Sequence, residues 1–329
     1  MMHVAMISGW HVHAKGYAKQ LAARPDVEIA AVYDSDAYLE NGAEKGRAWA
    51  AELGCPFVAD YDAILADKSI DAVAVCAPTA AHPDVIIRAA EAGKAVFTEK
   101  VLALTARDAY AIRDAVVKNH TVFTISYPHK TNPALLFVKK LADSGALGTL
   151  TYARVRNVHS GSIADWLPPH FYDEAACGGG AMIDLGAHPC YTLAWFLGKP
   201  VSIQSCFTNV TPRPVEDNAV SLFRYASGAI GVSETGFVSV ADPYTFELSG
   251  TKGAARVLGQ EAWYADEATE KKWIRAEVLP EAPKSPLDTW ADAVNNGTPA
   301  VYGIDEAVEL SEIMDATYRA AGSRAEAQV

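Results

Sequence analysis

The sequence of 329 residues lacks several features that mark particular classes of protein. No run approaches the roughly 20 consecutive apolar residues of a membrane helix, so no spanning segment is expected. The N-terminus shows no basic segment followed by a long apolar stretch, so no secretory signal is expected. Basic residues number 28 against 40 acidic ones, a formal net charge of −12, which disfavours nucleic acid as a partner.

Cysteine is also scarce. The five cysteines are scattered and none forms a C-x-x-C pair, so the sequence predicts neither a disulfide framework nor a metal site. We expect reduced, mostly buried thiols in a cytoplasmic protein. Apolar residues make up 50% and charged residues 21% of the chain, as in ordinary globular proteins, and no repeat or low-complexity tract is present.

Strand-like and helix-like segments alternate over the first third of the chain. Short apolar runs at residues 4–7, 27–33, 71–77, 95–98 and 121–126 are typical of strands, and segments of helical length separate them. Apolar runs without two-residue alternation indicate a parallel sheet covered on both faces. Residues 1–125 are therefore predicted to form a Rossmann-type, doubly wound dinucleotide-binding domain of the α/β class.

The pattern changes after residue 126. Helices are predicted over residues 133–144, 181–196, 286–295 and 305–321. Residues 201–278 read mostly as strands, with hairpin signals at residues 225–228 and 250–253. We predict an α+β domain with a large, mainly antiparallel sheet over residues 126–329, with a role in substrate binding and oligomerisation. No Pro/Ser-rich linker precedes it, so tight packing of the two domains is expected.

The loop after the first strand is the first candidate for cofactor binding, because a doubly wound sheet binds ligands outside the carboxyl ends of its strands. It reads Ser8-Gly9-Trp10-His11, with one glycine where the G-x-G-x-x-G fingerprint has three. The N-terminus of the following helix can still hold a phosphate through its N–H groups and dipole. Alternatively, the histidines of the loop cap the helix or face solvent.

The ends of the second and third strands carry further candidates. Asp34 lies 25 positions after Gly9, near the spacing of the acidic residue that binds the adenosine ribose, although a simple turn is the alternative. A carboxylate at this position repels a 2′-phosphate and favours NAD over NADP. The third strand is followed by Ala77, Pro78, Thr79 and His82; Pro78 ends the strand and Thr79 can cap the next helix.

Two pairs of polar residues are candidates for catalysis. Glu99 and Lys100 follow the fourth strand, where a lysine with a pKa lowered by burial can act as acid or base; a surface ion pair is the alternative. Asp184 and His188 are four positions apart and would share one face of a helix. A buried hydrogen-bonded pair or half of a metal site competes with a catalytic role for them.

Taken in order, these motifs resemble the glucose–fructose oxidoreductase/inositol dehydrogenase (Gfo/Idh/MocA) family. The motifs are a Rossmann-like domain, Pro-x-x-x-His after the third strand, Glu-Lys after the fourth, and Gly-Gly-Gly-Ala-Met-Ile-Asp-Leu-Gly-Ala-His at residues 178–188. The resemblance covers nearly the whole chain. It implies an oxidoreductase that transfers hydride between NAD(H) and a carbinol or ketone carbon of a sugar, polyol or sugar derivative.

The resemblance also implies roles for individual residues. Lys100, Asp184 and His188 match the signature catalytic residues of the family, and Glu99 and Lys100 are expected beside the cofactor. His188 is our choice as the base, with Lys100 stabilising the developing alkoxide and Asp184 orienting the substrate or tuning its neighbours. Lysine as the base is the alternative. The chain departs from the family at Val101, where a proline is usual. It also has Tyr191 and Thr192 three and four positions after His188, where the family often has an acidic residue.

Four residues with aromatic or imidazole rings are candidates for substrate contacts: Tyr127, His129, Trp166 and His170. Two other functions stay open. One is a lyase, epimerase or glycosidase that uses tightly bound NAD transiently, and the other is a non-catalytic regulator that binds a sugar or nucleotide. By family resemblance, the open face of the antiparallel sheet is expected to support a homodimer or homotetramer.

Overall fold

A computed structural model describes residues 1–241 and 243–322. The chain divides into two compact units. The first comprises Met1–Ser126, Ala175–Gly178 and Lys284–Ser311. The second comprises Tyr127–Glu174, Gly179–Pro283 and the described part of Glu312–Val329. Among the described helices, none combines the length and apolar character needed to cross a membrane.

The described strands are β1 (Met2–Ile7), β2 (Val27–Tyr33), β3 (Ala72–Val75), β4 (Ala95–Thr98), β5 (Phe123–Ile125), β6 (Leu150–Val158), β7 (Ser202–Thr208), β8 (Asn218–Arg224), β9 (Ile230–Gly236), β10 (Tyr244–Gly250), β11 (Gly253–Leu258), β12 (Glu261–Asp266) and β13 (Ile274–Arg275). The described helices are α1 (Ala14–Ala22), α2 (Gly42–Leu53), α3 (Tyr61–Ala66), α4 (His82–Glu91), α5 (Ala106–Lys118), α6 (Pro133–Asp143), α7 (Glu174–Cys177), α8 (Ala181–Asp184), α9 (Ala187–Leu197), α10 (Pro286–Asn296) and α11 (Ile304–Gly322).

The first unit contains a five-stranded parallel sheet in the order β2-β1-β3-β4-β5. Every residue of β3 and β4 is buried, as expected for strands covered on both faces. The neighbours of β1 are β2 on one side and β3 on the other, so the crevice for a ligand lies at the carboxyl ends of β1 and β3. This sheet confirms the predicted Rossmann-type fold.

One late segment of the chain belongs to this unit. Ser285 caps α10 by accepting a hydrogen bond from the Asp288 N–H, and Pro286 occupies the first turn. Trp290 of α10 is fully buried, and its ring lies 5.7 Å from that of Phe97 in β4. The apolar side of α10 therefore contributes to the core around the parallel sheet, although 193 positions separate the two rings in sequence.

The second unit contains an eight-stranded sheet in the order β13-β12-β11-β10-β6-β9-β8-β7. Only the β6–β9 pair is parallel within the described sheet; the other neighbours are antiparallel. The predicted hairpin turns join β8 to β9 and β10 to β11. The mainly antiparallel sheet confirms the predicted α+β character of this part of the chain.

The structure corrects one predicted element. Residues 181–196 form two helices, α8 and α9, and not one continuous helix. The hydrogen-bond register changes at Gly186, whose N–H bonds to the carbonyl of Ala181, five positions earlier. A Cβ at Gly186 would lie 2.5 Å from the backbone carbonyl oxygen of Met182, which explains a glycine at this turn. Asp184 and His188 were predicted to share one face of a single helix. They lie instead in two successive helices, Asp184 in α8 and His188 in α9.

Candidate active site

The carboxylate of Asp34 holds the loop after β1. The Ser8 hydroxyl donates to Asp34 Oδ1 at 2.7 Å, and the Gly9 N–H donates to Oδ2 at 2.8 Å. Ser8 has a positive φ of 67°, and its hydroxyl accepts a hydrogen bond from the Trp10 N–H at 3.1 Å. The Ser35 N–H also donates to Asp34, at 2.9 Å. Side chains therefore fix a turn that the usual fingerprint forms with glycines.

The rest of this loop is fixed by the strand beside it and by its own side chains. The His11 N–H donates to the carbonyl of Cys76 at 3.1 Å, which ties the loop to the end of β3. The His13 N–H donates to His11 Nδ1 at 3.2 Å. The N–H groups of Gly9, Trp10, His11 and His13 thus all donate to acceptors within the protein. None of these four is directed to a diphosphate in this conformation.

A cavity of about 320 Å³ opens beside Asp34. Leu39 and Trp49 give it an apolar wall, and Lys45 lies at its edge. Burial raises the pKa of Asp34, and the N–H and hydroxyl donors around the carboxylate oppose that rise. Helix α2 approaches closely because residue 46 is Gly46, where a Cβ would lie 2.7 Å from that of Asp34. An apolar wall beside a carboxylate suits the adenosine part of a dinucleotide.

Glu99 and Lys100 are buried, at 2% and 5% relative exposure, which rules out the surface ion pair. Glu99 Oε1 lies 2.7 Å from His13 Nδ1 and 3.8 Å from His11 Nδ1. The same oxygen accepts a hydrogen bond from the Tyr17 hydroxyl, and Oε2 accepts one from the Lys100 N–H at 3.1 Å. The carboxylate at the end of β4 thus gathers residues of the β1–α1 segment around Lys100.

The charge of this cluster follows from its burial and its neighbours. Burial alone would raise the pKa of Glu99, but the charges of His11, His13 and Lys100 hold it well below its ordinary value. Burial, together with the charge of Glu99, holds the pKa of Tyr17 well above its ordinary value. Glu99 is therefore a carboxylate and Tyr17 a neutral donor at neutral pH.

Of the candidates after β3, His82 has a structural contact that links two strand ends. His82 is buried at 1% exposure; its Nε2 lies 3.1 Å from the carbonyl of Ala77, and its Nδ1 lies 3.1 Å from that of Val101. Burial lowers the pKa of His82. This side chain joins the segment after β3 to the segment after β4. Pro78 and Thr79 lie between Ala77 and His82 in sequence, and a 3-10 turn starts at Thr79.

In the second unit, Glu216 caps the short helix α8. Its carboxylate Oε1 accepts hydrogen bonds from the N–H groups of Gly180 and Met182, both at 2.9 Å. Its backbone carbonyl accepts one from the Ala181 N–H at 2.8 Å. A Cβ at Gly180 would collide with that carbonyl, which explains a glycine at this position. Burial raises the pKa of Glu216, against the effect of its donors.

Tyr318 completes the cap. Its hydroxyl donates to Glu216 Oε1 at 2.6 Å and accepts from the Ile183 N–H at 3.0 Å. The Asp184 N–H bonds to the Gly180 carbonyl at 3.1 Å, so all four N–H groups of α8 have acceptors. Glu216 and Tyr318 are not predicted from the sequence, because these bonds join residues 36 and 135 positions apart and leave no local signal.

His188 lies in a cluster of rings. Its Nδ1 is 2.9 Å from the hydroxyl of Tyr191, which also accepts a hydrogen bond from the His129 N–H at 3.2 Å. The His129 ring meets that of His188 edge-on at 4.7 Å and stacks on Tyr244 at 4.3 Å. Tyr127 stacks on Tyr191 at 4.4 Å. The structure therefore brings Tyr127 and His129 to His188, and Tyr191 joins them.

Lys130, next to His129 in sequence, is buried at 8% exposure, and its Nζ lies 5.2 Å from the centre of the Tyr127 ring. Trp166 and His170, the two remaining candidates, lie elsewhere. Trp166 is 53% exposed and its ring lies 4.6 Å from that of His159. His170 lies in the same segment between β6 and α7, with its ring 5.2 Å from that of Phe171.

The catalytic candidates divide between the two units. Lys100 lies in the first unit, at the end of β4, whereas Asp184 and His188 lie in the second. Asp184 ends α8 and is partly buried, and His188 stands in the first turn of α9 at 6% exposure.

Comparison with known proteins agrees with this architecture. Residues 3–127 match the model of an oxidoreductase family with an NAD-binding Rossmann fold, and residues 135–256 match the GFO/IDH/MocA C-terminal domain. The chain belongs to the Gfo/Idh/MocA family. It is therefore an oxidoreductase with an NAD-binding Rossmann domain, which confirms the predicted family, enzyme class and cofactor.

Curated relatives are similar over much of the chain. It is 29% identical over 294 residues to scyllo-inositol 2-dehydrogenase (NAD(+)) of Bacillus subtilis, covering 83% of each chain. It is 26% identical over 251 residues to levoglucosan dehydrogenase of Pseudarthrobacter phenanthrenivorans. That match covers 67% of this chain and 63% of the relative, so it spans less than two thirds of the relative's length.

Solved structures are similar over almost the whole chain. GenD2 from gentamicin A biosynthesis, in complex with NAD, superposes with a TM-score of 0.80 at 28% identity, covering 98% of this chain and 94% of that one. Levoglucosan dehydrogenase, in complex with NADH and levoglucosan, has a TM-score of 0.84 at 21% identity, covering 98% and 97%. At 21% identity, the likeness to levoglucosan dehydrogenase shows a shared fold and no more.

Proposed function

We propose that the protein is an NAD-dependent dehydrogenase that oxidises a carbinol carbon of a sugar, polyol or sugar derivative, or reduces the corresponding ketone. The observation that carries the proposal is the buried Glu99–Lys100 pair at the end of β4, in a domain of an NAD-binding oxidoreductase family. The curated relatives named above act on levoglucosan and scyllo-inositol, and these substrates support a sugar-like class.

The residues around the first loop fit the cofactor. Asp34, on the wall of the 320 Å³ cavity, would accept hydrogen bonds from the ribose hydroxyls of adenosine. Ser8, Gly9, Trp10 and His11 would contact the diphosphate side, with Ala77, Pro78, Thr79 and His82 on the neighbouring strand. When bound, NAD supplies the hydride acceptor for the substrate carbon.

Lys100, Asp184 and His188 would take part in removing the proton of the substrate hydroxyl. Tyr191 lies beside His188 Nδ1, and we propose that His188 exchanges the proton of the substrate hydroxyl through Nε2. This role requires the tautomer in which Nδ1–H donates to the Tyr191 hydroxyl. Lys100 would stabilise the alkoxide that forms as the proton leaves, and Asp184 would orient the substrate. Tyr127, His129, Trp166 and His170 are proposed to contact the substrate.

The experiment is a screen of sugars, sugar acids and inositols with NAD and NADP, measured by NADH or NADPH absorbance. We expect net reduction of NAD with at least one polyol or sugar. Lys100→Met should lose this turnover, whereas the exposed Lys140→Met should keep it. Turnover of a substrate without net reduction would favour transient use of tightly bound NAD. Unchanged turnover in Lys100→Met would overturn the catalytic assignment.

The two predicted domains complete the proposal. We propose that residues 1–125 bind the dinucleotide, and that residues 126–329 bind substrate and form a homodimer or homotetramer in the cytoplasm. Val220, Leu222 and Ile230 on β8 and β9 are 41%, 44% and 49% exposed, which supports an interface on that sheet. Sedimentation as a monomer at micromolar concentration would reject the oligomer. Cell fractionation of the source organism tests the location.

A further inference from the structure

Three side chains in the first unit converge on one point. His11, His13 and Glu99 each offer one possible ligand atom, and these three atoms lie within 4.8 Å of one another. His11 and Glu99 are buried, whereas the side chain of His13 is 48% exposed and gives access from solvent. Two histidines and one carboxylate form a set that first-row divalent metals bind with open coordination positions.

The spacing of the donor atoms fits such an ion with little movement. Bonds of about 2.0–2.2 Å in a tetrahedral site place neighbouring donors roughly 3.3–3.6 Å apart. Here the separations from Glu99 Oε1 are 2.7 Å to His13 Nδ1 and 3.8 Å to His11 Nδ1, on either side of that range. Entry of an ion would replace the hydrogen bond between His13 and Glu99 and release the proton that they share.

The surroundings already orient the carboxylate. Glu99 Oε2 accepts the Lys100 N–H, and the Tyr17 hydroxyl contacts Oε1 while lying 2.8 Å from Ser126 Oγ. Outer partners of this kind hold ligating carboxylates in place in metal sites. The histidine and the carboxylate are 86 positions apart in sequence, so the sequence predicts no metal site here.

We propose that His11, His13 and Glu99 bind one divalent first-row transition metal ion such as Zn²⁺. The ion would lie in the β1–α1 loop, whose N–H groups at Gly9, Trp10 and His11 are engaged within the protein. Coordination through His11 Nδ1 would displace the His13 N–H, which donates to that nitrogen in the structure. A cation with open positions would balance the charge of the dinucleotide diphosphate, the task that glycine-loop N–H groups perform in the usual fingerprint. This role rests on the proposed function, whereas binding of the metal does not.

The direct test is titration of the chelator-treated, full-length protein with Co²⁺. We expect one equivalent to bind with a visible ligand-field absorption band, and Zn²⁺ to displace it. His13→Asn and Glu99→Gln should each lose the band. His120→Asn is the matched control, because His120 is exposed and has a positive φ that asparagine adopts readily. Circular dichroism confirms that each variant is folded. The site is refuted if the wild-type protein shows no band, or if both variants retain it.

The role is tested separately by NAD affinity, measured by calorimetry with and without Zn²⁺. We expect Zn²⁺ to lower the Kd of the wild-type protein for NAD at least tenfold, and to leave that of His13→Asn unchanged. An equal Kd with and without metal would overturn the role at the diphosphate. Absence of NAD binding under both conditions would instead count against the proposed function, so the two failures are distinguishable.

Discussion

Replacement of Glu216 tests how the chain positions Asp184. In the wild type, one carboxylate oxygen of Glu216 accepts hydrogen bonds from the N–H groups of Gly180 and Met182 and from the Tyr318 hydroxyl. Glu216→Ala leaves these three donors without that acceptor. Each unsatisfied buried donor costs about 1–3 kcal/mol, so the three together predict a loss of about 3–9 kcal/mol in the free energy of unfolding.

Glu216→Gln separates the hydrogen bonds from the charge. A glutamine carbonyl can accept the same bonds, so we expect this variant to lose only about 1 kcal/mol. Glu261→Ala is the matched control. Its carboxylate pairs with Arg275 on the surface, with side chains 48% and 61% exposed, and such pairs contribute about 0–1 kcal/mol.

The assay combines urea unfolding with hydrogen exchange measured by mass spectrometry on a peptide that covers residues 180–184. Exchange is needed because a chain of two units need not unfold in one step. We expect faster exchange of this peptide in Glu216→Ala, and a fall in kcat as Asp184 loses its fixed position. Glu216→Ala with wild-type stability and wild-type exchange would refute the capping argument.

Three further outcomes follow from the structure. Burial raises the pKa of Glu216, so protonated Glu216 stabilises the folded wild-type protein at low pH, and this stabilisation is lost as the pH rises through the pKa of the folded state. The free energy of unfolding of Glu216→Gln relative to wild type should therefore increase from about pH 4.3 upward. A pH-independent difference in urea midpoints would contradict this. Gly180→Ala should destabilise by more than about 1 kcal/mol, because its Cβ meets backbone, whereas Gly16→Ala has open space and should stabilise by up to about 1 kcal/mol, as thermal melts would show. Tyr191→Phe should lower kcat about tenfold, the equivalent of about 1.4 kcal/mol, and shift its pH profile with KM little changed; an unchanged profile would show that Tyr191 does not set the state of His188.

The parallel sheet could be predicted because its signal is local. Strands such as β3 and β4 are buried on both faces, so each appears as a short apolar run; Pro78 follows β3, and the polar pair Glu99–Lys100 follows β4. The positions of Asp34 and of the Glu99–Lys100 pair follow from the same reasoning, since polar residues at strand ends meet at one edge of the sheet. The same reasoning could not predict whether the side chains of Glu99 and Lys100 are buried or exposed. Glu99 and Lys100 are enclosed by a loop some 90 residues earlier in the chain.

Long-range contacts account for the features that were missed. Glu216 and Tyr318 act on α8 from distant parts of the chain, and Trp290 joins the core of the first unit from near the C-terminus. A side chain that caps a helix or packs in a core so far away in sequence leaves no periodic pattern in the sequence. The break at Gly186 is of another kind, because glycine is compatible with a helix in sequence and only the contact with Met182 shows that the turn is tightened there.

The first loop shows why a degraded fingerprint did not mislead the prediction of fold. The order of the strands depends on apolar pattern and on the lengths of the connections, neither of which needs the missing glycines. In the fingerprint, glycines serve the tight turn, the close approach of backbone N–H groups to the ligand and the packing of helix against strand. Here Ser8 adopts the positive φ, and Asp34 accepts the N–H of Gly9. Hydrogen bonds within the protein thus hold the loop without a ligand, and the metal site proposed above would add positive charge beside it. Measurement of NAD affinity against metal and against pH therefore addresses the part of this site in which the chain departs most from its family.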